Sequence, residues 1–215
     1  MRSEQEPQHS CMLDRRYINR KHGIEYISVE KAACTSIKAA LLIADGIEPP
    51  EELSQVHYHP HWFRQWFGAV PIRWVFTFVR DPRVRLVSLW WDMVRTGRSR
   101  EFMADLPASM TFSEFVRWIV ARNELPNRHY APQTLVLSRS RNGDALDFVG
   151  HIETISEDWR VVQAHAPGLG ELPHRNASDR PKDWRALYDP ETWAIAGGYY
   201  AGDLRRWPRY ALPNP

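Results

Sequence analysis

The stretch Tyr26-Ile-Ser-Val-Glu-Lys-Ala-Ala-Cys-Thr-Ser-Ile-Lys-Ala-Ala-Leu-Leu42 decides the reading of this chain, because a β-branched apolar run passes through a turn of small residues into a helix-forming segment. A strand ending in such a turn aims several backbone N–H groups, and the positive end of the helix dipole, at one point. The pattern predicts a strand over Glu25 to Val29, an anion cradle over Lys31 to Ser36, and a helix from Thr35 to Ala44 that stops near Gly46. The glycine-framed pattern ending in Gly-Lys-Ser/Thr, which marks a nucleoside-triphosphate loop, is absent. The anion held here is therefore expected to be of another kind.

Outward from the cradle, Trp74-Val-Phe-Thr-Phe-Val79 is apolar almost throughout, as expected of a strand covered on both faces of a parallel sheet. Arg80 ends it, Asp81 is a candidate N-cap and Pro82 a fitting first helical residue, which predicts a helix to about Arg95, before Gly97. Thr111-Phe-Ser-Glu114 is a capping-box pattern opening a helix with Phe115, Trp118 and Ile119 on one face. Leu146 to Val149 reads as a short strand, Glu153 to His165 as a helix, and Asp189-Pro190 as the start of a last helix through about Arg206. Repeated alternation of strand and helix implies a single three-layer α/β domain with a mainly parallel central sheet. Residues 1–20 read as a polar leader and 21–215 as the domain.

At 215 residues and 43% hydrophobic, the chain is long enough for one well-buried core and short for two. A net charge of +2 is too small to imply a nucleic-acid partner. The first residues have no apolar signal-peptide core, and no later run approaches the roughly 20 apolar residues of a membrane span, so a cytoplasmic location without a transmembrane segment is expected. Two cysteines, Cys11 and Cys34, form neither a disulfide framework nor a paired metal motif. Ten tryptophans serve mainly packing, with a flat wall for a sugar or aromatic acceptor as a further use.

Arg80 lies at the carboxyl end of a buried strand, and Ser88 is two helical turns later on the face shared with Arg85, so the three could grip a phosphate. In an open α/β sheet ligands bind at the carboxyl ends of strands, where this turn and the Lys31 cradle both open. Two neighbouring anion sites are expected.

Glu30-Lys-Ala-Ala-Cys-Thr-Ser-Ile-Lys38 followed by Phe78-Val-Arg-Asp-Pro-Arg-Val-Arg-Leu-Val-Ser88 resembles the two cofactor motifs of the carbohydrate sulfotransferases. Asn127 to Thr134 and Leu146 to Asp158 are similar to the central blocks of the chondroitin type, and Tyr188 to Glu191 with Tyr199 to Tyr210 to its C-terminal helix. The resemblance implies a P-loop-like sulfotransferase fold and transfer of the sulfuryl group of 3′-phosphoadenosine-5′-phosphosulfate (PAPS) to an acceptor hydroxyl, with no metal required. By that resemblance Lys31, Thr35, Ser36 and the backbone of Ala32, Ala33 and Cys34 hold the 5′-phosphosulfate, and Arg80 and Ser88 the 3′-phosphate. Lys31 would neutralise charge developing on the departing oxygen.

The acceptor hydroxyl must lose a proton, and Val56-His-Tyr-His-Pro-His-Trp-Phe63 offers three imidazoles that share one face if the segment is extended. The His59-Pro-His61 pair resembles a block of the uronyl 2-O-sulfotransferases, which makes His61 the candidate base and His59 the reserve, with His129 a further contender. The loop His174 to Lys182 occupies the position of one that closes over the nucleotide in this family, which brings Arg175 and Lys182 into consideration. Where the Golgi relatives carry paired cysteines this chain has Leu137-Ser-Arg-Ser140, so their disulfide is absent. A saccharide acceptor is expected, with no nucleic-acid partner. An ATP-dependent kinase and a non-catalytic nucleotide- or glycan-binding module remain as alternatives.

Overall fold

The computed structural model describes residues 16–64, 71–97, 106–107, 109–122, 127–138, 146–173 and 181–213. Four strands form one sheet in the order β1 (Arg16–Asn19), β2 (Ile24–Ile27), β3 (Trp74–Val79) and β4 (Phe148–His151). β1 pairs antiparallel with β2 through the turn at Gly23, whereas β2, β3 and β4 run parallel, with Tyr26 opposite Phe76 and Phe78 opposite Gly150. The sheet thus begins at Arg16, inside the stretch read from sequence as leader. β1 eluded a pattern search because its outer residues Arg16 and Ile18 are half-exposed while a polar residue, Asn19, is buried.

The central strand β3 is buried along its whole length, as its sequence predicts. Tyr26, Phe76 and Phe78 turn to one face, against helix α1 (Cys34–Ala44) and helix α6 (Ile155–His165); Ile27, Val75 and Val79 turn to the other, against Val136, Leu137, Trp207 and Tyr210. Alternate side chains leave a strand on opposite sides, so both faces must be covered, and the result is three layers. Each fully buried aliphatic or aromatic side chain contributes about 1.5–3 kcal/mol. A third apolar cluster joins helix α3 (Pro82–Trp90) to helices α4 (Phe112–Ala121) and α7 (Pro190–Tyr199).

The helix termini follow local chemistry. Asp81 accepts from the Arg83 N–H ahead of Pro82. Thr111 and Glu114 make the expected capping box, and Asp189 with Thr192 makes a second at α7. α1 ends where Gly46 takes a left-handed φ of 76°. α3 runs on as a π-helix over Trp91–Arg95, and the last predicted helix is divided at Tyr200 into α7 and α8 (Ala201–Arg206). Two short helices complete the described set, α2 (Pro60–Arg64) and α5 (Gln133–Ser138). Among the described residues no helix is long and apolar enough to cross a membrane.

Gly150 sets a packing limit at the β3–β4 pair. A Cβ there would lie 2.4 Å from the ring of the fully buried Phe78. Gly150→Ala should therefore lower unfolding stability by about 1–3 kcal/mol through overpacking; an unchanged urea midpoint would contradict that packing.

Candidate active site

The cradle is the turn between β2 and α1. Lys31 and Ala33 both adopt left-handed backbone, with φ of 65° and 55°, where side chains with a Cβ are disfavoured by about 1–2 kcal/mol each. Three contacts from beneath hold this conformation: the Ala32 N–H donates to Val29 O at 3.3 Å, Arg80 Nη1 to Lys31 O at 3.2 Å, and Arg85 Nε to Glu30 O at 2.8 Å. Left-handed residues in such a turn curl N–H groups into a concave nest for an anion, and the eleven-residue α1 adds its dipole.

Arg80 is positioned as carefully. Its N–H donates to Gln133 Oε1 at 3.0 Å and its carbonyl accepts from Gln133 Nε2 at 2.8 Å. Gln133 is in turn held by the fully buried carboxylate of Asp203, which also accepts from the backbone N–H and hydroxyl of Thr134. Arg80 therefore links the strand-end turn to the cradle through the Lys31 carbonyl, and Ser88 is buried on the following helix. Arg80 and Lys31, the leading residues of the two expected anion sites, are thus neighbours.

Arg85 does not join them, contrary to the sequence expectation of a gripping trio. Only 1% exposed, it spends its guanidinium on the carbonyls of Glu30, Ala131 and Arg128, each at 2.8 Å. Buried and held through all three of its nitrogens, it braces the cradle from below.

Beneath the turn lies a charge cluster. Glu30 pairs with Arg128, stands 3.9 Å from Lys38 Nζ, and accepts from Cys34 Sγ at 3.0 Å. Burial alone would raise Glu30, but Lys38 and Arg128 outweigh it and hold the carboxyl well below its usual range. Burial, with Glu30 beside it, pushes the Cys34 thiol up to about 11, so it acts as a small packing residue and not as a nucleophile. Glu30, Cys34 and His57 bring donor atoms within 4.8 Å of one another, but a divalent ion would have to displace the cations that Glu30 already holds.

The histidines separate. Residues Leu53–Tyr58 form a 3-10 helix and Pro60–Arg64 a helix, so the imidazoles of the extended reading do not share a face. His57 reaches Thr35 Oγ1 at 3.1 Å and Lys38 Nζ at 2.6 Å, directly behind the cradle. His61 instead pairs through Nε2 with Asp45 Oδ2 at 2.8 Å. Asp45 follows the last residue of α1, roughly 16 Å from the cradle at 1.5 Å per residue. His61 is therefore held at the end of α1 that is farther from Lys31. His59 Nδ1 accepts from the His61 N–H at 3.3 Å, and its ring lines a shallow recess with Pro50, Gln55, Tyr58 and Pro60. Burial, then His61 nearby, lowers its pKa.

His129 lies in the cradle wall, its Nδ1 donating to Asn127 Oδ1 at 2.7 Å. Burial lowers it to about 3 against a partial counter-effect from Glu30, so it is a neutral ring at physiological pH and a poor proton acceptor. Lys182 is exposed, and Arg175 lies outside the described residues.

Lys31 Nζ pairs with Asp92 Oδ2 in the π-helical turn after α3. Asp92 was missed in the sequence, yet Arg85, Ser88 and Asp92 are spaced three and four residues apart, the signature of a shared helix face.

The model of the sulfotransferase family matches residues 14–188. The chain belongs to that family. Neither the curated proteins nor the solved structures contain a significant match to it. The matched span takes in the cradle, the Arg80 turn and the Gln133 bracket of this sulfotransferase together.

The half-buried His129 imidazole gives a pH signature. An unfolded chain protonates His129 near pH 6.5, whereas the folded protein resists until about 3, so lowering the pH across that window favours unfolding. Between about pH 6.5 and 5, wild-type stability should fall and the His129→Gln variant should fall less steeply; parallel curves in urea titrations would contradict the buried neutral state.

Proposed function

We propose that this sulfotransferase moves the sulfuryl group of PAPS to an acceptor hydroxyl, on a saccharide, by in-line displacement. The single observation that carries the reading is the contact between the two strand-end turns, in which the Arg80 guanidinium bonds the carbonyl of Lys31 itself. A donor with phosphate-like groups at both its 5′ and 3′ positions suits two neighbouring prongs, whereas a triphosphate would use one loop and a metal. The chain's own groups fit such a donor. The left-handed turn and the first turn of α1, with Thr35 and Ser36, suit the 5′-phosphosulfate, and Arg80 with Ser88 suits the 3′-phosphate. PAPS supplies a sulfuryl group already activated by its phosphate leaving group.

Lys31 has the central role. Its ammonium would leave Asp92 for the oxygen that bridges sulfur and phosphate, where positive charge counts most as the bond breaks. That exchange releases the Asp92 carboxylate beside the reacting centre, which makes Asp92 our choice to take the acceptor's proton in place of His61 and His59. The proton passes from acceptor oxygen to carboxylate as the new O–S bond forms and the S–O bond to the leaving phosphate breaks.

Calorimetry and radiolabel transfer test these roles. The protein should bind 3′-phosphoadenosine-5′-phosphate (PAP) in preference to ATP-magnesium. Arg80→Ala should weaken that binding by roughly 10- to 100-fold, the loss of about 1.5–3 kcal/mol of charge-assisted contact. Lys31→Ala and Asp92→Asn should each cut transfer by roughly 100-fold or more while moving nucleotide affinity far less. His61→Ala should retain transfer per folded molecule. Absence of PAP binding would overturn the donor, and an active Asp92→Asn with an inactive His61→Ala would overturn the base.

A further inference from the structure

His57 is the one imidazole of its segment that reaches the cradle, and the proposed reaction gives it no task. Its ring bridges Lys38 and Thr35, which lie three residues apart on α1. Lys38 is fully buried, 3.9 Å from the Glu30 carboxylate and 4.3 Å from the centre of the Tyr17 ring, two neighbours that favour a cation. An ammonium has donors and no acceptor. Facing Lys38, therefore, Nδ1 must accept, and the ring proton must sit on Nε2, where it meets Thr35 Oγ1.

The consequence falls on Thr35. An oxygen that accepts from Nε2–H keeps its own hydrogen for another partner. With the opposite tautomer, the Nε2 lone pair would draw that hydrogen back toward the ring and present hydroxyl lone pairs to an incoming anion. A donor would be replaced by an acceptor at a place meant for negative oxygen.

We propose that His57 is a positioning residue for the donor: locked by Lys38 as the Nε2–H tautomer, it fixes the Thr35 hydroxyl as a hydrogen-bond donor to the 5′-phosphosulfate. The ligand's identity rests on the PAPS reading; the tautomer does not. The relay also occupies both ring nitrogens, so His57 does not serve as the base. The neighbouring charges are Lys38, Glu30 and, through Glu30, Arg128. They form one network that fixes the ring from the side away from the donor.

Two measurements on the full chain test the relay. Multiple-bond nitrogen–proton spectra should show His57 as the Nε2–H tautomer between about pH 6 and 8, and Lys38→Met should abolish that pattern. A Nδ1–H or doubly protonated ring in the wild type would overturn the proposal. PAP titrations of Thr35→Val, His57→Leu and the double variant should each show a loss of roughly 10-fold, with no further loss in the double, because both changes remove one interaction. His57→Gln should restore affinity, since its amide can accept from Lys38 and donate to Thr35 together. Additive losses, or a Gln variant as weak as Leu, would overturn the relay. Failure of the wild type to bind PAP would instead overturn the donor reading.

Discussion

One guanidinium holds the working end of this molecule together. Arg85 binds the carbonyls of Glu30, Arg128 and Ala131, and so ties the turn after β2 to the segment that leads into α5, from a position on the helix after β3. Three buried carbonyls left without it would each cost about 1–3 kcal/mol. The left-handed Lys31 and Ala33 persist because the chain around them is fixed at Glu30 and at the Lys31 carbonyl; two residues that disfavour this backbone take the place that glycine would occupy in a looser loop.

The same brace explains why so much positive charge can be buried together. Arg80, Arg85, Lys38 and Arg128 lie under or beside the cradle, and each meets a carbonyl, a carboxylate or an imidazole. Glu30 balances part of that charge and remains ionised because its cations are already in place. The result is a set of buried cations fixed in place by their partners, which suits the anionic donor we propose. Lys31 pairs instead with Asp92, where both side chains keep some exposure, and the proposed mechanism has it change partner there.

The central architecture was legible because burial on two faces forces an apolar strand, as Trp74–Val79 displays, and because Asp81-Pro82 and Thr111 with Glu114 satisfy helix ends by purely local chemistry. That Lys31 and Arg80 lie close together was legible because neighbouring parallel strands end on the same edge of the sheet. The hidden parts are those that depend on the fold. Asn19 in β1 is polar because it bonds Asp45, a partner 26 residues away. Arg85 and Ser88 share a helix face, but the burial of Arg85 comes from the carbonyls of Glu30, Arg128 and Ala131, all more than forty residues away in sequence. The histidine segment misled for a local reason: Pro60 opens a helix directly after a 3-10 turn, and that change of direction sends His57 to the start of α1 and His61 to its end.

The central claim is that Lys31 to Ser36 and Arg80 with Ser88 are two prongs of one donor site, with Lys31 changing partner when the donor binds. A crystal structure with 3′-phosphoadenosine-5′-phosphate tests it most directly. The account predicts the 5′-phosphate in the turn, bonded to its backbone N–H groups and to a Lys31 ammonium that has left Asp92, with the 3′-phosphate on Arg80 and Ser88. A nucleotide seated elsewhere, or a Lys31 still paired with Asp92 beside a bound 5′-phosphate, would contradict it.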